Sequence, residues 1–143
     1  MTVTRLESLG LVVEDLQAAV DFFVRLGLTV LGQNTVGGDV VDRLVGLVGV
    51  DCDLAVVETL DGHGRLEIMH FHSPPARGHD EQPSVNTLGP RRIAFAVNDL
   101  DATLTDLGEA RLLGDIVQYG DSYRLAYIRG PEGIIVMLAE ALG

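Results

Sequence analysis

One short pattern occurs twice in the chain, beginning at residue 8 and again at residue 92. The segments 8–20 (SLGLVVEDLQAAV) and 92–104 (RIAFAVNDLDATL) carry the same Val, Asp, Leu and Ala at equivalent places, with apolar residues between them. In each copy an apolar run leads to an acidic residue and then to a helical period. Asp15 and Asp99 stand where an N-cap belongs, because a carboxylate there accepts hydrogen bonds from the first free helix amides. The repeat therefore predicts two copies of one folding unit.

Each copy is predicted to fold as a strand, a helix and three further strands. The first helix is expected to end near Leu26, before Gly27, and the second to cover Leu100 to Leu107, before Gly108. The strand-like segments that follow are 28–34, 52–60 and 65–72 in the first copy, and 110–119, 123–130 and 134–140 in the second.

Two further segments complete the predicted organisation. Residues 38–50 form a helical or irregular insertion in the first copy, and their apolar side is expected to pack against a neighbouring element. Residues 74–90 hold four of the five prolines and are predicted to link the copies. The first module then covers 1–73, the second covers 91–143, and together they form one domain.

The charge balance restricts the partners of the chain. Acidic residues number 21 against 10 basic residues, the net charge is −11, and all ten basic residues are Arg. The absence of lysine excludes a Schiff-base lysine and a P-loop lysine. An acidic surface argues against nucleic acid and anionic membranes as partners, and it favours cationic ligands.

Cysteine content and hydropathy indicate the compartment. The single Cys52 excludes an internal disulfide framework and a cysteine-rich zinc site, and it is interpreted as a small core residue. No apolar run approaches the ~18 residues of a membrane span. The N-terminal region carries acidic residues where a signal peptide is apolar. These features together predict a cytoplasmic protein.

The repeated unit, with Val-x-Asp-Leu opening each helix and Gly-Pro-Glu-Gly before the last strand, resembles the vicinal oxygen chelate superfamily. This superfamily includes glyoxalase I, extradiol dioxygenases and bleomycin-binding proteins. The resemblance runs from about Thr4 to Leu142 and implies an α+β fold of two tandem βαβββ modules, forming a curved cup of mixed sheet. It is carried by LGLVVEDLQAAVDFFVRLGL, RLEIMHF, RRIAFAVNDLDATL and YIRGPEGIIVMLAE.

The resemblance also implies where a metal would be bound. In the metal-dependent relatives, four strands each supply one ligand to the cavity, and the matching positions here are Ser8, Glu67, Arg92 and Met137. Glu67 is the one competent ligand for a divalent cation, since Ser is a poor ligand, Met is soft and Arg is itself a cation. We therefore expect no metal and no other cofactor, with a divalent metal at Glu67 as the alternative.

The same cup has the composition of a site for an organic ligand. Glu67 and Arg92 are its charged residues and are expected to form an ion pair, which would keep the carboxylate ionised and make Glu67 a weak general base. Glu67 is therefore a candidate catalytic residue only where a ligand breaks that pair. The predicted ligand-binding residues are Ser8, Glu67, Met69, Phe71, Arg92, Tyr127 and Met137.

Two other groups of residues have a functional and a structural interpretation. His70 and His72 alternate onto one face of their strand, near His63 and His79, and a His-x-His pair can chelate a transition metal. Because alternation turns them away from Glu67, we interpret them as polar residues near a strand end. The three tyrosines all lie in 119–127, where a rim at the cavity mouth and ordinary strand packing both explain them.

The sequence is compatible with two functions. The first is a small-molecule binding protein without the metal site, similar to the drug-resistance members of the superfamily. The alternative is a superfamily enzyme, an isomerase, lyase or dioxygenase, that uses Glu67 as metal ligand or general base. By the same resemblance we expect a homodimer.

Overall fold

The computed structural model describes residues 1–78 and 82–143, and the chain divides into two compact units, Met1–Gly78 and His79–Gly143. The first unit contains four strands and two helices: β1 (Leu9–Val12), α1 (Leu16–Arg25), β2 (Thr29–Gly37), α2 (Asp39–Val45), β3 (Asp51–Glu58) and β4 (Arg65–Ser73). Its sheet has the order β1-β4-β3-β2, in which β1 is parallel to β4 and the other pairs are antiparallel.

The second unit repeats this topology with one helix fewer. Its elements are β5 (Arg92–Val97), α3 (Leu100–Leu107), β6 (Val117–Tyr119), β7 (Tyr123–Arg129) and β8 (Ile135–Ala141). The sheet order is β5-β8-β7-β6, again with the first strand parallel to the last. The prediction of an α+β fold built from two βαβββ modules is confirmed.

Both predicted helix caps are present. The carboxylate of Asp15 accepts a hydrogen bond from the backbone amide of Ala18, and Asp99 accepts one from Ala102, each at 3.0 Å. In the second unit another carboxylate joins the cap, since Glu140 on β8 accepts from the amide of Leu100 at 2.8 Å. Each repeat therefore fixes its helix start through a side chain that the sequence pattern identifies.

The helices cover one face of each sheet and leave the other face more open. In the first unit α1 packs on β3 and β4, and Phe23 and Ile68 are fully buried. In the second unit α3 packs on β7 and β8, and Leu104 and Leu138 are fully buried. Residues on the other face of β5, such as Ala94, are exposed. The open faces are thus where a ligand has access to sheet side chains.

Two local predictions are wrong. The segment 110–119 is predicted to be one strand, but only Val117–Tyr119 forms a strand with β7. Before it come a 3₁₀ turn at Glu109–Arg111 and an isolated bridge from Leu112 to Ile128 of β7. The insertion does contain a helix, α2, and it contacts β2, but no α2 residue is fully buried and Leu44 on its apolar side is 81% exposed. Across the described ranges, no helix is long and apolar enough to cross a membrane.

Candidate ligand-binding groove

Three strands of the second unit bring a row of side chains onto its open face. In the register of β7 and β8, Tyr127 lies opposite Met137, and Met137 lies opposite Ala94 of β5. Residues that lie opposite one another in a sheet point to the same face. Alternation along β7 puts Leu125 and Arg129 on the same face as Tyr127. The strand pairing therefore assembles an open face with apolar, aromatic and cationic side chains.

A groove of about 520 Å³ lies on this face. Loop residues Leu113, Gly114 and Asp115 form one side, because Leu113 donates its backbone amide to the carbonyl of Tyr127 at 2.9 Å and so holds the loop against β7. The groove is mainly apolar, with Tyr127, Arg129 and Asp115 as its larger polar groups. Its lining residues are Ser84, Val85, Leu113, Gly114, Asp115, Val117, Leu125, Ala126, Tyr127 and Arg129.

Arg92 reaches the edge of this groove through Tyr127. Its guanidinium donates a hydrogen bond of 2.9 Å to the Tyr127 hydroxyl and lies 5.6 Å from the centre of the Tyr127 ring. The contact crosses β8, since Arg92 is on β5 and Tyr127 is on β7. Two of the predicted ligand-binding residues are thus brought together, and Arg92 is exposed.

The predicted site residues of the first unit also share one open face. Glu67 lies opposite Gly10, and Met69 lies opposite Val12, in the parallel pairing of β4 with β1. Met69 packs across Gly10, because a Cβ atom built at Gly10 would stand 3.2 Å from the Met69 methyl carbon. Ser8 directly precedes β1. Glu67 and Met69 are half-buried, and the ion pair of Glu67 with Arg92 stays a prediction.

Phe71 and Met137 complete the predicted set. Phe71 is half-buried on β4, opposite Cys52, and Met137 is half-buried on β8 beside the groove. Cys52 itself is a buried free thiol, and burial raises its pKa. A raised thiol pKa lowers the thiolate fraction, so Cys52 has the character of a core residue rather than of a nucleophile.

The histidine pair is engaged in contacts of the first unit. A ring nitrogen of His72 lies 2.8 Å from a carboxylate oxygen of Asp53, and a ring nitrogen of His70 lies 3.1 Å from the carbonyl oxygen of Val13. The hydrogen bond to Asp53 raises the pKa of His72. These contacts agree with our interpretation of the histidines as polar residues near a strand end. His79 lies outside the described residues.

The four positions at which the resemblance implies metal ligands do not form a suitable donor set. Arg92 is a permanent cation whose guanidinium is hydrogen-bonded to Tyr127. Met137 offers a soft thioether, and Ser8 offers a weakly donating hydroxyl, so Glu67 alone suits a divalent cation. In residues 1–78 and 82–143, no cluster of three or more His, Cys, Asp or Glu side chains is arranged to hold a metal ion.

Sequence reasoning missed Arg129 and the apolar lining of the groove. A signal for Arg129 and Leu125 was present, since they alternate with Tyr127 along one strand. Leu113 and Asp115 carried no such signal, because their segment has the apolar composition of a strand and instead forms a loop. Of the tyrosines, Tyr127 lines the groove, whereas Tyr119 and Tyr123 pair at the far end of the sheet.

Two βαβββ units with these open faces define a two-module α+β fold. The sequence model of the Glyoxalase/Bleomycin resistance protein/Dioxygenase superfamily matches residues 5–138. The chain belongs to this superfamily. No curated protein matches it in sequence.

Solved structures extend the comparison. A glyoxalase family protein from Bacillus cereus is 39% identical, with a TM-score of 0.95 over 100% of this chain and 97% of that one. A glyoxalase family protein from Enterococcus faecalis is 22% identical, with a TM-score of 0.64 over 98% and 100% of the two chains. TnmS3, an antibiotic binding protein from Streptomyces sp. CB03234, is 19% identical, with a TM-score of 0.61 over 99% and 98%. The last two share the fold alone with this chain.

Proposed function

We propose that this protein binds a small organic molecule in the groove of its second unit. The observation that carries the proposal is the groove itself, about 520 Å³ in volume and lined by apolar side chains around Tyr127 and Arg129. Such a volume and composition are typical of small-molecule sites, where a few polar groups orient a mostly apolar ligand. The fold is also that of an antibiotic binding protein, TnmS3.

Gly114 provides a variant that fills the groove. A Cβ atom at Gly114 would meet no other atom within 4 Å, and its backbone lies outside the left-handed region, so a side chain is added there without strain. Gly78 has the same two properties, does not line the groove and is the matched control. Gly114→Phe should therefore remove binding that Gly78→Phe retains.

The neutral dye N-phenyl-1-naphthylamine, whose fluorescence rises in apolar sites, is a suitable probe. We expect the wild-type protein and Gly78→Phe to bind the dye with the same affinity. Gly114→Phe should bind it at least about tenfold more weakly. Absence of dye binding by the wild-type protein, or equal binding by both variants, would refute a ligand site in this groove.

The first unit supplies a second set of proposed ligand contacts and the enzymatic alternative. Glu67 faces Gly10 across the strand pair, so no β1 side chain stands beside its carboxylate. This opening favours Glu67 as a contact for a ligand, or as a general base if the protein turns over a substrate. Turnover by a metal-free preparation, lost in Glu67→Gln, would support the enzyme and rule out a purely binding role.

We also propose that two copies of the chain associate through the apolar side of α2. Val40 and Leu44 lie one turn apart on α2 and are 72% and 81% exposed, and Val48, in the bend that follows the helix, is 87% exposed. Clustered apolar exposure of this kind marks a protein interface. Sedimentation should give twice the 15.3 kDa chain mass. Leu44→Glu should give the monomer, whereas Leu88→Glu, at a site 95% exposed in the second unit, should not.

The remaining proposals rest on composition. The net charge of −11 supports a protein that binds neither nucleic acid nor anionic membranes. The single, buried and unpaired Cys52 supports a cytoplasmic location, where thiols stay reduced.

A further inference from the structure

Two arginines project from the open face of the second sheet, on either side of Ile135. Arg92 lies opposite Ile135 across the parallel pair, and Arg129 lies opposite it across the antiparallel pair. Their Cα atoms are two strand spacings apart, about 10 Å. Arg92 donates to the hydroxyl of Tyr127, a residue of the strand that also carries Arg129.

Both guanidiniums are engaged by neutral partners. Arg92 donates to the Tyr127 hydroxyl at 2.9 Å, and Arg129 donates to the carbonyl of Gly133 at 2.7 Å. Within the described part of the second unit, neither has a carboxylate within 4.0 Å. A neutral acceptor occupies one donor but leaves the positive charge uncompensated, and a guanidinium has five donors.

Elsewhere in the same unit an arginine is fully paired. Arg124 donates two hydrogen bonds to the carboxylate of Asp101, at 2.9 and 3.0 Å, and this contact lowers the pKa of Asp101. In a chain with 21 acidic residues, carboxylates are abundant. Arg91 likewise donates to a neutral acceptor, the carbonyl of Gly89, so the distinguishing feature of Arg92 and Arg129 is that both stand at one groove.

We propose that the ligand of the groove is an organic anion, with an apolar body on the groove wall and an oxyanion group held by Arg92 and Arg129. This assignment rests on the proposed function, because it requires that the groove bind an organic molecule. Arginine binds planar oxyanions through paired hydrogen bonds, and such charge-assisted bonds are stronger than neutral ones. The apolar body would contact Leu113, Val117 and Leu125.

This assignment reverses the expectation that acidity favours cationic ligands. The net charge of −11 belongs to the whole chain, and salt screens exposed charges beyond about 8 Å at physiological ionic strength. A ligand in the groove responds mainly to groups within that distance. Among the described residues, Arg129 and Asp115 are the charged residues that line the groove, and Arg92 at its edge makes two cations against one carboxylate.

A matched pair of dyes tests the charge of the ligand. 1-Anilinonaphthalene-8-sulfonate has the ring system of N-phenyl-1-naphthylamine plus one sulfonate. We expect Arg92→Met and Arg129→Met each to weaken sulfonate-dye binding about tenfold more than neutral-dye binding. Arg25→Met, which removes the same charge from an exposed site at the end of α1, should change neither.

The outcomes separate this assignment from the proposed function. Failure of both dyes to bind the wild-type protein would overturn the two together. Binding of both dyes, without loss of the sulfonate dye in the arginine variants, would overturn the anion assignment alone. If the variants do not fold, the salt dependence of dye binding by the wild-type protein tests the anion assignment instead. Raising salt from about 20 to 200 mM should weaken the sulfonate dye at least about threefold more than the neutral dye, and an equal response would refute the assignment.

Discussion

The start of α3 permits a quantitative test of the helix caps. Asp99 accepts from the amide of Ala102 at 3.0 Å, and Glu140 accepts from the amide of Leu100 at 2.8 Å, so two carboxylates satisfy two different amides. Replacing an N-cap aspartate by alanine lowers the free energy of unfolding by about 1 kcal/mol. We expect Asp99→Ala and Glu140→Ala each to lower the free energy of unfolding by about 1 kcal/mol. Because both carboxylates cap one helix start, the loss in the double variant should differ from the sum of the two by about 0.5 kcal/mol or more.

The repeat supplies the comparison for this experiment. Asp15 caps α1 by the same 3.0 Å hydrogen bond, and Asp15→Ala should also lower the free energy of unfolding by about 1 kcal/mol. Urea unfolding followed by circular dichroism measures each loss of unfolding free energy. In thermal unfolding, the melting temperature of a chain of this size should fall by about 3–4 °C for each kcal/mol lost. Asp99→Asn keeps a side-chain acceptor and should stay near wild type. A change of less than about 0.3 kcal/mol in Asp99→Ala would refute the role of the cap.

Three further predictions concern the first unit. The pKa of His72, titrated by NMR, should lie above its ordinary value and should fall in Asp53→Asn, and an unchanged pKa would contradict the pairing. The stabilisation that this pair gives the folded state should be complete below the ordinary histidine pKa and lost as pH rises through the raised value. Elemental analysis should find no stoichiometric divalent metal, and bound metal that disappears in Glu67→Ala would refute the metal-free proposal. Phe23→Ala should cost about 3–5 kcal/mol in urea unfolding, because Phe23 is fully buried, and a loss below about 1 kcal/mol would contradict its place in the core.

Local signals account for the parts of the fold that could be predicted from the sequence. The caps at Asp15 and Asp99, and the end of α3 at Gly108, depend on hydrogen bonds within a few residues. Strand alternation likewise indicated that Glu67 and Met69 share a face, because that periodicity is a property of the extended backbone. Such features need no knowledge of distant residues.

The groove depended on contacts between distant segments. Leu112 and Leu113 have the apolar character of a strand, yet Leu113 is held by one backbone hydrogen bond to Tyr127, and the chain turns at the following residues instead of continuing the ladder. That loop forms one wall of the groove, so the cavity follows from tertiary packing. Strand alternation predicts that Arg129 lines the groove only if Tyr127 is already known to face it.

The most direct test of the central claim is to map where a ligand binds. Amide chemical shifts of the labelled protein, recorded during titration with N-phenyl-1-naphthylamine, report the site residue by residue. We predict that the largest changes fall in 113–117 and 125–129, and that Gly114→Phe abolishes them. Changes confined to the apolar side of α2, with the groove amides unmoved, would contradict ligand binding in the groove.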